Sequence, residues 1–309
     1  MPNATSALMS LNGRIVSYDS CMVHAFSGVV KYGAAVFEGL RGYWNPIRND
    51  LYVFRLKEHL DRLRYGMRVL RLEPVFEEAF LAESLIGMIR ANDLREVVHL
   101  RMIAYLDGDD ELAATGPAGL VCGAVPRPRA KAVRDGVHVA TSSYTRIADN
   151  ALPPRVKCTA NYINNRAAEL EARRNGFQGV LMLTDRGKLS EGSGACFFMV
   201  RNGALHTPDV TSDVLESVTR DTVIRLAREK LSIGVHERAI DRHEVYAADE
   251  AFWCGSGYEI QPVLSLDRLA IGDGRPGLLT RALQDAYFSV TEGRVEDHPE
   301  WRTAVYANA

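Results

Sequence analysis

The sequence predicts an α+β protein built as two domains, and three observations carry that expectation. The chain has 309 residues, more than one hydrophobic core usually serves. Strand and helix patterns alternate irregularly, without regular βαβ units. The stretch VPRPRAKAVRDG, residues 125–136, breaks the pattern with prolines and basic residues but no core periodicity. It reads as the connection between a smaller N-terminal α/β domain, 1–124, and a larger C-terminal domain, 137–309.

Each element has its own signal. In 55–72, Leu56, Leu60, Leu63, Met67 and Leu70 recur at alternating steps of four and three, which is an amphipathic helix with one buried face. Residues 77–92 read as a second helix. VVHLRMIAYL, 97–106, is rich in apolar and β-branched residues and reads as a strand. Beyond the connection, 137–146 is a strand, and 161–176 is a helix closed by Gly176. Residues 178–208 form a meander with turns at DRG, SEGSG and RNG. The segment 211–231 opens with Ser, Thr and Asp, then becomes a helix through Val223, Leu226, Ala227 and Leu231. EAFWCGSGYEIQPVLSLD, 250–267, closes the list as strand, Gly-Ser-Gly turn and strand.

Composition narrows the function. Hydrophobic residues make up 47% and charged residues 25%, as in ordinary globular proteins. The net charge of −2 gives no support to nucleic-acid binding. Five cysteines at 21, 122, 158, 196 and 254 contain no C-x-x-C. This predicts reduced thiols in a cytoplasmic protein, with neither a disulfide frame nor a zinc site. MPNATSALMSLNG lacks a basic start followed by an apolar run, so no signal peptide is expected. No apolar stretch approaches the roughly 20 residues a membrane helix needs.

Chemistry enters through a lysine. Only six of the 37 basic residues are lysines, and Lys157 sits in LPPRVKCTANYINN, shortly after a Pro-Pro and just before a helix. An arginine does as well for solubility, but only a lysine amine loses its proton readily enough to attack a carbonyl carbon. Three further stretches could hold an anion. SVTRDTVIRLA begins a helix, whose first N–H groups favour phosphate, although Ser217 or Thr219 also suits simple capping. The Gly-Ser-Gly turn at 255–257 could face an anion or be a plain turn. Arg55 stands between a strand and a helix, where a guanidinium grips phosphate bidentately or is merely solvated. Glu191 is an acid in KLSEGSG, between strands that read as buried. Neither a dinucleotide fingerprint nor a P-loop is present.

In order and spacing, Lys157 with Asn161-Tyr162, then SEGSGACFF, VLESVTRD and CGSGYEIQPV, resemble the class IV aminotransferases. KYGAAVFEGLRGY and VFRLKEHLDRL resemble the same family, especially its branched-chain amino acid aminotransferases. The resemblance runs from about residue 12 to residue 290. It implies the two-domain D-amino-acid-aminotransferase-like fold (fold type IV), with pyridoxal 5′-phosphate (PLP) at the domain junction and Lys157 as its Schiff-base lysine. By the same resemblance Glu191 matches the acid at the pyridine nitrogen and Tyr162 the tyrosine beside the phenolic oxygen. Arg55, Val218, Thr219 and Ser256 match phosphate contacts, and Leu215 the apolar residue on the ring face.

For substrate, Tyr32, Phe37 and Arg101 match pocket residues, and Ser256–Gly257 the α-carboxylate site. The family's Y-x-R is His99-Leu100-Arg101 here, so His99 is either a substrate contact or a core residue. Its usual glycine before the phosphate pair is Ser217. The implied reaction moves an amino group between branched-chain L-amino acids (leucine, isoleucine, valine) and 2-oxoglutarate. An (R)-selective amine or D-amino acid aminotransferase, or an aminodeoxychorismate lyase, is the alternative; Arg101 favours the first reading. The implied partners are small amino and 2-oxo acids and further copies of the chain in a homodimer or larger assembly. A loop at 105–116 would then close the neighbour's site.

Overall fold

The computed structural model describes residues 7–108 and 111–307. The chain divides into two compact units, one of residues up to Pro128 with Val156–Ala160 and Ser289 onward, the other of Arg129–Arg155 with Asn161–Phe288.

The first unit contains β1 (Leu8–Leu11), β2 (Arg14–Ser17), α1 (Gly28–Tyr32), β3 (Ala35–Asn45) and β4 (Asp50–Phe54). It continues with α2 (Leu56–Val69), α3 (Glu78–Ala91), β5 (Val98–Leu106) and β6 (Ala118–Pro126). The second holds α4 (Lys131–Asp135), β7 (Val137–Thr145), α5 (Asn161–Arg174), β8 (Gly179–Leu183), β9 (Leu189–Gly192), β10 (Cys196–Arg201) and β11 (Ala204–Thr207). Then come α6 (Val218–Leu231), β12 (Val235–Glu237), β13 (Glu250–Gly255), β14 (Glu259–Leu266) and β15 (Leu269–Ala270). α7 (Leu278–Thr291) runs across the division, and β16 (Arg302–Ala304) returns to the first unit.

The first sheet has the order β16-β4-β3-β5-β6-β1-β2. β3 is its long central strand and is buried along almost its whole length, so its charged residues need partners. Glu38, fully buried, accepts two bonds from Arg62 at 2.7 Å each and one from His59 Nδ1 at 2.7 Å. Burial alone would raise the Glu38 carboxyl, but Arg62 and then His59 hold it far below the usual carboxylate range. Burial outweighs Glu38 at His59 and lowers the imidazole, so His59 donates as a neutral ring and Arg62 balances the charge. This cluster fastens α2 to β3. α2 buries Leu56, Leu60, Leu63 and Met67, as its spacing predicts.

The second sheet runs β12-β11-β10-β13-β14-β7-β8-β9, with β15 on β14. Its core gathers Phe197, Met199, Trp253, Val263, Leu181 and Leu189 from neighbouring strands.

The sequence-based boundaries differ from these units at the C-terminus and around Lys157. β16 pairs antiparallel with β4 through Arg302↔Phe54 and Ala304↔Tyr52, so the last residues belong to the first unit. Three residues of strand, RTA, are too short to carry a periodic signal. Val156–Ala160 also joins the first unit, because Cys158 bridges Val36 and the Phe37 N–H donates to the Lys157 carbonyl at 2.9 Å. The division near Pro128 falls inside the expected connection, whose second half is the short helix α4. Of the expected loop 105–116, residues 105–106 end β5 and 109–110 lie outside the described residues.

Candidate active-site residues

The candidate residues fall into two groups, one in each unit. In the first, strand pairing lays side chains in rows across the sheet. Phe37 opposes Ile103, Gly39 opposes Arg101, and Arg41 opposes His99. On the other side of β5, Ile103 opposes Val121, Arg101 opposes Gly123, and His99 opposes Val125. With a period of two, all of these face the same side. The Phe37 ring is the meeting point. The Lys157 ammonium lies 4.7 Å from its centroid and the Arg101 guanidinium 5.1 Å. An amine and a guanidinium are thereby held near one apolar plate.

His99 lies beside them, 8% exposed. Arg101 Nη2 approaches its Nε2 at 3.4 Å. A guanidinium only donates, so Nε2 accepts and the proton sits on Nδ1. Nδ1 has no hydrogen-bond partner in the structure. Burial, then Arg101, Arg127, Arg41 and Lys157, hold the imidazole down to about 3. His99 is therefore a neutral ring at physiological pH.

Arg55 takes the left-handed backbone conformation, φ 52° and ψ 44°, just before α2. A bulky residue with positive φ costs energy of order 1 kcal/mol and is held there by its surroundings. Its N–H donates to the Trp301 carbonyl at 2.6 Å, and its guanidinium lies 4.8 Å from the Trp301 ring. Glu58 accepts from its Nε at 2.7 Å. Tyr32 ends α1 and is largely exposed, with the Lys31 ammonium 5.2 Å from its ring.

In the second unit, Glu191 lies in β9 and is 4% exposed. A buried carboxylate survives only when paired. Arg146, at the end of β7 and equally buried, donates Nε and Nη2 to Glu191 Oε1 at 3.2 and 3.0 Å. Its Nη1 donates to Asn165 on α5 at 3.0 Å. Glu191 Oε2 accepts from the Leu215 N–H at 3.3 Å and from Cys196 Sγ at 3.7 Å. This places Leu215 against the carboxylate. Sequence reasoning missed Arg146, Asn165 and Cys196, because nothing in the string SYTR marks an arginine as the partner of an acid 45 residues away.

Ser217 caps α6, accepting from the Arg220 N–H at 3.3 Å. Val218 and Thr219 are therefore the first helical residues, with amide groups at the positive end of the helix. The Thr219 and Ser256 hydroxyls meet at 3.3 Å, so the helix start and the 255–257 turn form one patch of donors. Gly257 follows in that turn, where the Tyr258 N–H donates to the Gly255 carbonyl. Tyr162 is the second residue of α5.

Comparison with known proteins agrees with this chemistry. The profile of the family described as "Amino-transferase class IV" matches residues 35–266. A probable branched-chain-amino-acid aminotransferase of Aquifex aeolicus is 34% identical over 297 residues, 95% of each chain. The crystal structure of the branched-chain amino acid aminotransferase from Thermobaculum terrenum in its PLP form is similar at TM-score 0.91. It is 41% identical, covering 97% of this chain and 99% of that one. The branched-chain aminotransferase of the archaeon Thermoproteus uzoniensis, crystallised with norvaline, matches at TM-score 0.92 and 34% identity, over 98% of this chain and 100% of that one. The chain belongs to the class IV aminotransferase family, and within it to the branched-chain-amino-acid aminotransferases.

Proposed function

We propose that the chain uses PLP, bound through Lys157, to exchange an amino group between leucine, isoleucine or valine and 2-oxoglutarate. The donor set suits that cofactor. Lys157 offers an amine for its aldehyde, and Glu191 a buried carboxylate for its ring nitrogen. Arg55, the amides at the start of α6 and the Thr219–Ser256 hydroxyl pair offer donors for a phosphate dianion. When bound, PLP supplies an electron sink for the bond broken at the substrate's Cα.

The chain's own residues do the rest. Lys157 holds and moves the proton at that carbon as general base and acid. Arg146 pairs with Glu191 and aims it, and a carboxylate beside a ring nitrogen favours its protonated form. Tyr162 offers a hydroxyl to the cofactor's phenolic oxygen, and Leu215 an apolar contact to its face. Phe37 gives an aliphatic side chain an apolar wall, while Arg101 gives glutamate's second carboxylate a counter-ion. Tyr32, His99 and the Ser256–Gly257 turn complete the set.

One observation carries the reading: Lys157 and Arg101 lie 4.7 and 5.1 Å from the Phe37 ring. A reactive amine next to one apolar and one cationic wall suits a pair of substrates that differ in that respect. The test is a donor screen with leucine, isoleucine, valine, D-alanine and (R)-1-phenylethylamine against 2-oxoglutarate and pyruvate. Turnover confined to the three branched L-amino acids with 2-oxoglutarate is expected. A preference for D-alanine or the amine would contradict it.

The reading extends to a cytoplasmic homodimer or larger assembly. Support comes from five cysteines without a disulfide and from the exposed Met22, Phe26 and Val30 of the first unit. Sedimentation of a monomer alone at micromolar concentration would contradict it.

A further inference from the structure

The sheet face that carries Phe37 and Arg101 continues into a cavity of about 310 Å³. Its origin is legible in the strand register. Arg101 is flanked by Gly39 on β3 and Gly123 on β6, so neither neighbour fills the space beside it. A side chain at Gly39 would press on His99 at 3.0 Å, and one at Gly123 on the end of Met9 at 2.6 Å. The cavity is walled by Met9, Val121 and Val125 and carries His99, Arg101 and Arg127.

The rows have an order. Starting from the Phe37–Ile103 row, beside Lys157, the next holds Arg101, the next His99, and Arg127 follows where its N–H meets the Val97 carbonyl. Gly123, opposite Arg101, and Arg127 are four residues apart on one extended segment, roughly 13 Å. Among the described residues no carboxylate pairs with the Arg127 guanidinium. Between the two arginine rows lies His99, a neutral ring that lines the cavity. A largely apolar cavity lined by two arginines on separate rows suits a flexible apolar stem that ends in a carboxylate.

We propose that this cavity selects 2-amino and 2-oxo acids with a second carboxylate on a stem longer than that of glutamate, and that Arg127 is the specificity-determining residue. The inference rests on the proposed transamination and deepens it. Arg101 meets the carboxylate of 2-oxoglutarate. A longer stem carries the carboxylate past Arg101, along the His99 row and toward Arg127. A guanidinium pairs with it through two parallel bonds.

The test uses the PLP-loaded protein in two measurements. Titration calorimetry compares adipate, glutarate and hexanoate. Initial rates compare 2-oxoadipate with 2-oxohexanoate as acceptors from leucine. Adipate should bind at least tenfold more tightly than hexanoate, and 2-oxoadipate should exceed 2-oxohexanoate in kcat/KM by a similar factor. In Arg127→Ala that advantage should fall at least tenfold, in Arg127→Glu further, and in Arg127→Lys it should partly return. Adipate and hexanoate of equal affinity, or an adipate advantage that survives Arg127→Ala within twofold, would overturn the assignment. If leucine is not a donor for any acceptor yet adipate binds through Arg127, the transaminase reading falls and the cavity stands. If leucine reacts and adipate does not bind, the cavity assignment falls alone.

Discussion

The two groups of candidate residues are built on opposite principles. Around Lys157 the polar groups meet over an aromatic ring, Arg101 is exposed, and His99 keeps a donor without a partner. Glu191 instead sits inside a buried hydrogen-bond network of Arg146, Asn165, Leu215 and Cys196. A network of that kind is rigid, because removing any member strands another in a low dielectric. The difference teaches where adaptability belongs. On the proposed reading, a carboxylate that tunes the cofactor would do the same work for every substrate, and Glu191 is held fixed. On the same reading, a wall that receives leucine and glutamate in turn would have to suit two chemistries, and an apolar ring beside a guanidinium offers both.

That contrast can be broken at several points. The largest effect is expected from Lys157→Ala, which removes the amine beside Phe37. Turnover should vanish, and borohydride treatment should leave no pyridoxyl-modified peptide. A modified lysine elsewhere in this variant, with activity retained, would remove Lys157 from the mechanism.

Next comes the buried pair. Arg146→Met leaves the Glu191 charge without its partner, which typically costs about 3–5 kcal/mol of stability. Denaturant unfolding should show that loss, and Arg146→Met with Glu191→Gln together should recover part of it. If the single variant loses under about 1 kcal/mol, as an exposed pair would, the buried network is not what holds Glu191.

The smallest effect concerns pH. His99 is held down to about 3 in the folded chain, against about 6.5 when unfolded. Its folded form binds the proton less well. Its contribution is fully present above pH 6.5 and is lost as pH falls from there toward 3. His99→Gln, which cannot take up that proton when unfolded, should lose less stability than wild type between about pH 7 and pH 5. The difference is about 2 kcal/mol at roughly 1.36 kcal/mol per unit. Parallel stability curves for the two proteins would mean that His99 is not buried as a neutral ring.

Legibility in the sequence followed the range of the interaction. Helices α2 and α6 declared themselves because their buried faces repeat within one segment, and α5 through the glycine that closes it. Arg55, Lys157, Glu191 and the Ser217–Thr219 start stood out because each sits at a local punctuation, a strand end, a Pro-Pro or a turn. What makes them a set is long-range. Arg146 is defined by an acid across β8, on β9, and Trp301 by an arginine in the chain's first quarter. The strand β16 and the return of 156–160 to β3 rest on backbone pairing with distant residues. Such partners leave no periodic trace, so the cavity beside Arg101 could not be read before the register placed two glycines around it.

Single-turnover rates test most directly whether an adaptable wall and a fixed acid divide the labour. The leucine half-reaction is followed on the PLP form and the 2-oxoglutarate half-reaction on the amine form, for wild type, Arg101→Ala and Glu191→Gln. Glu191→Gln should slow both by roughly a hundredfold or more, the scale of a preorganised charge aimed at a reacting group. Arg101→Ala should slow the 2-oxoglutarate half-reaction by about 2 kcal/mol, roughly thirtyfold, and the leucine half-reaction far less. Equal losses in both half-reactions of Arg101→Ala, or a Glu191→Gln protein within about twofold of wild type, would contradict that division.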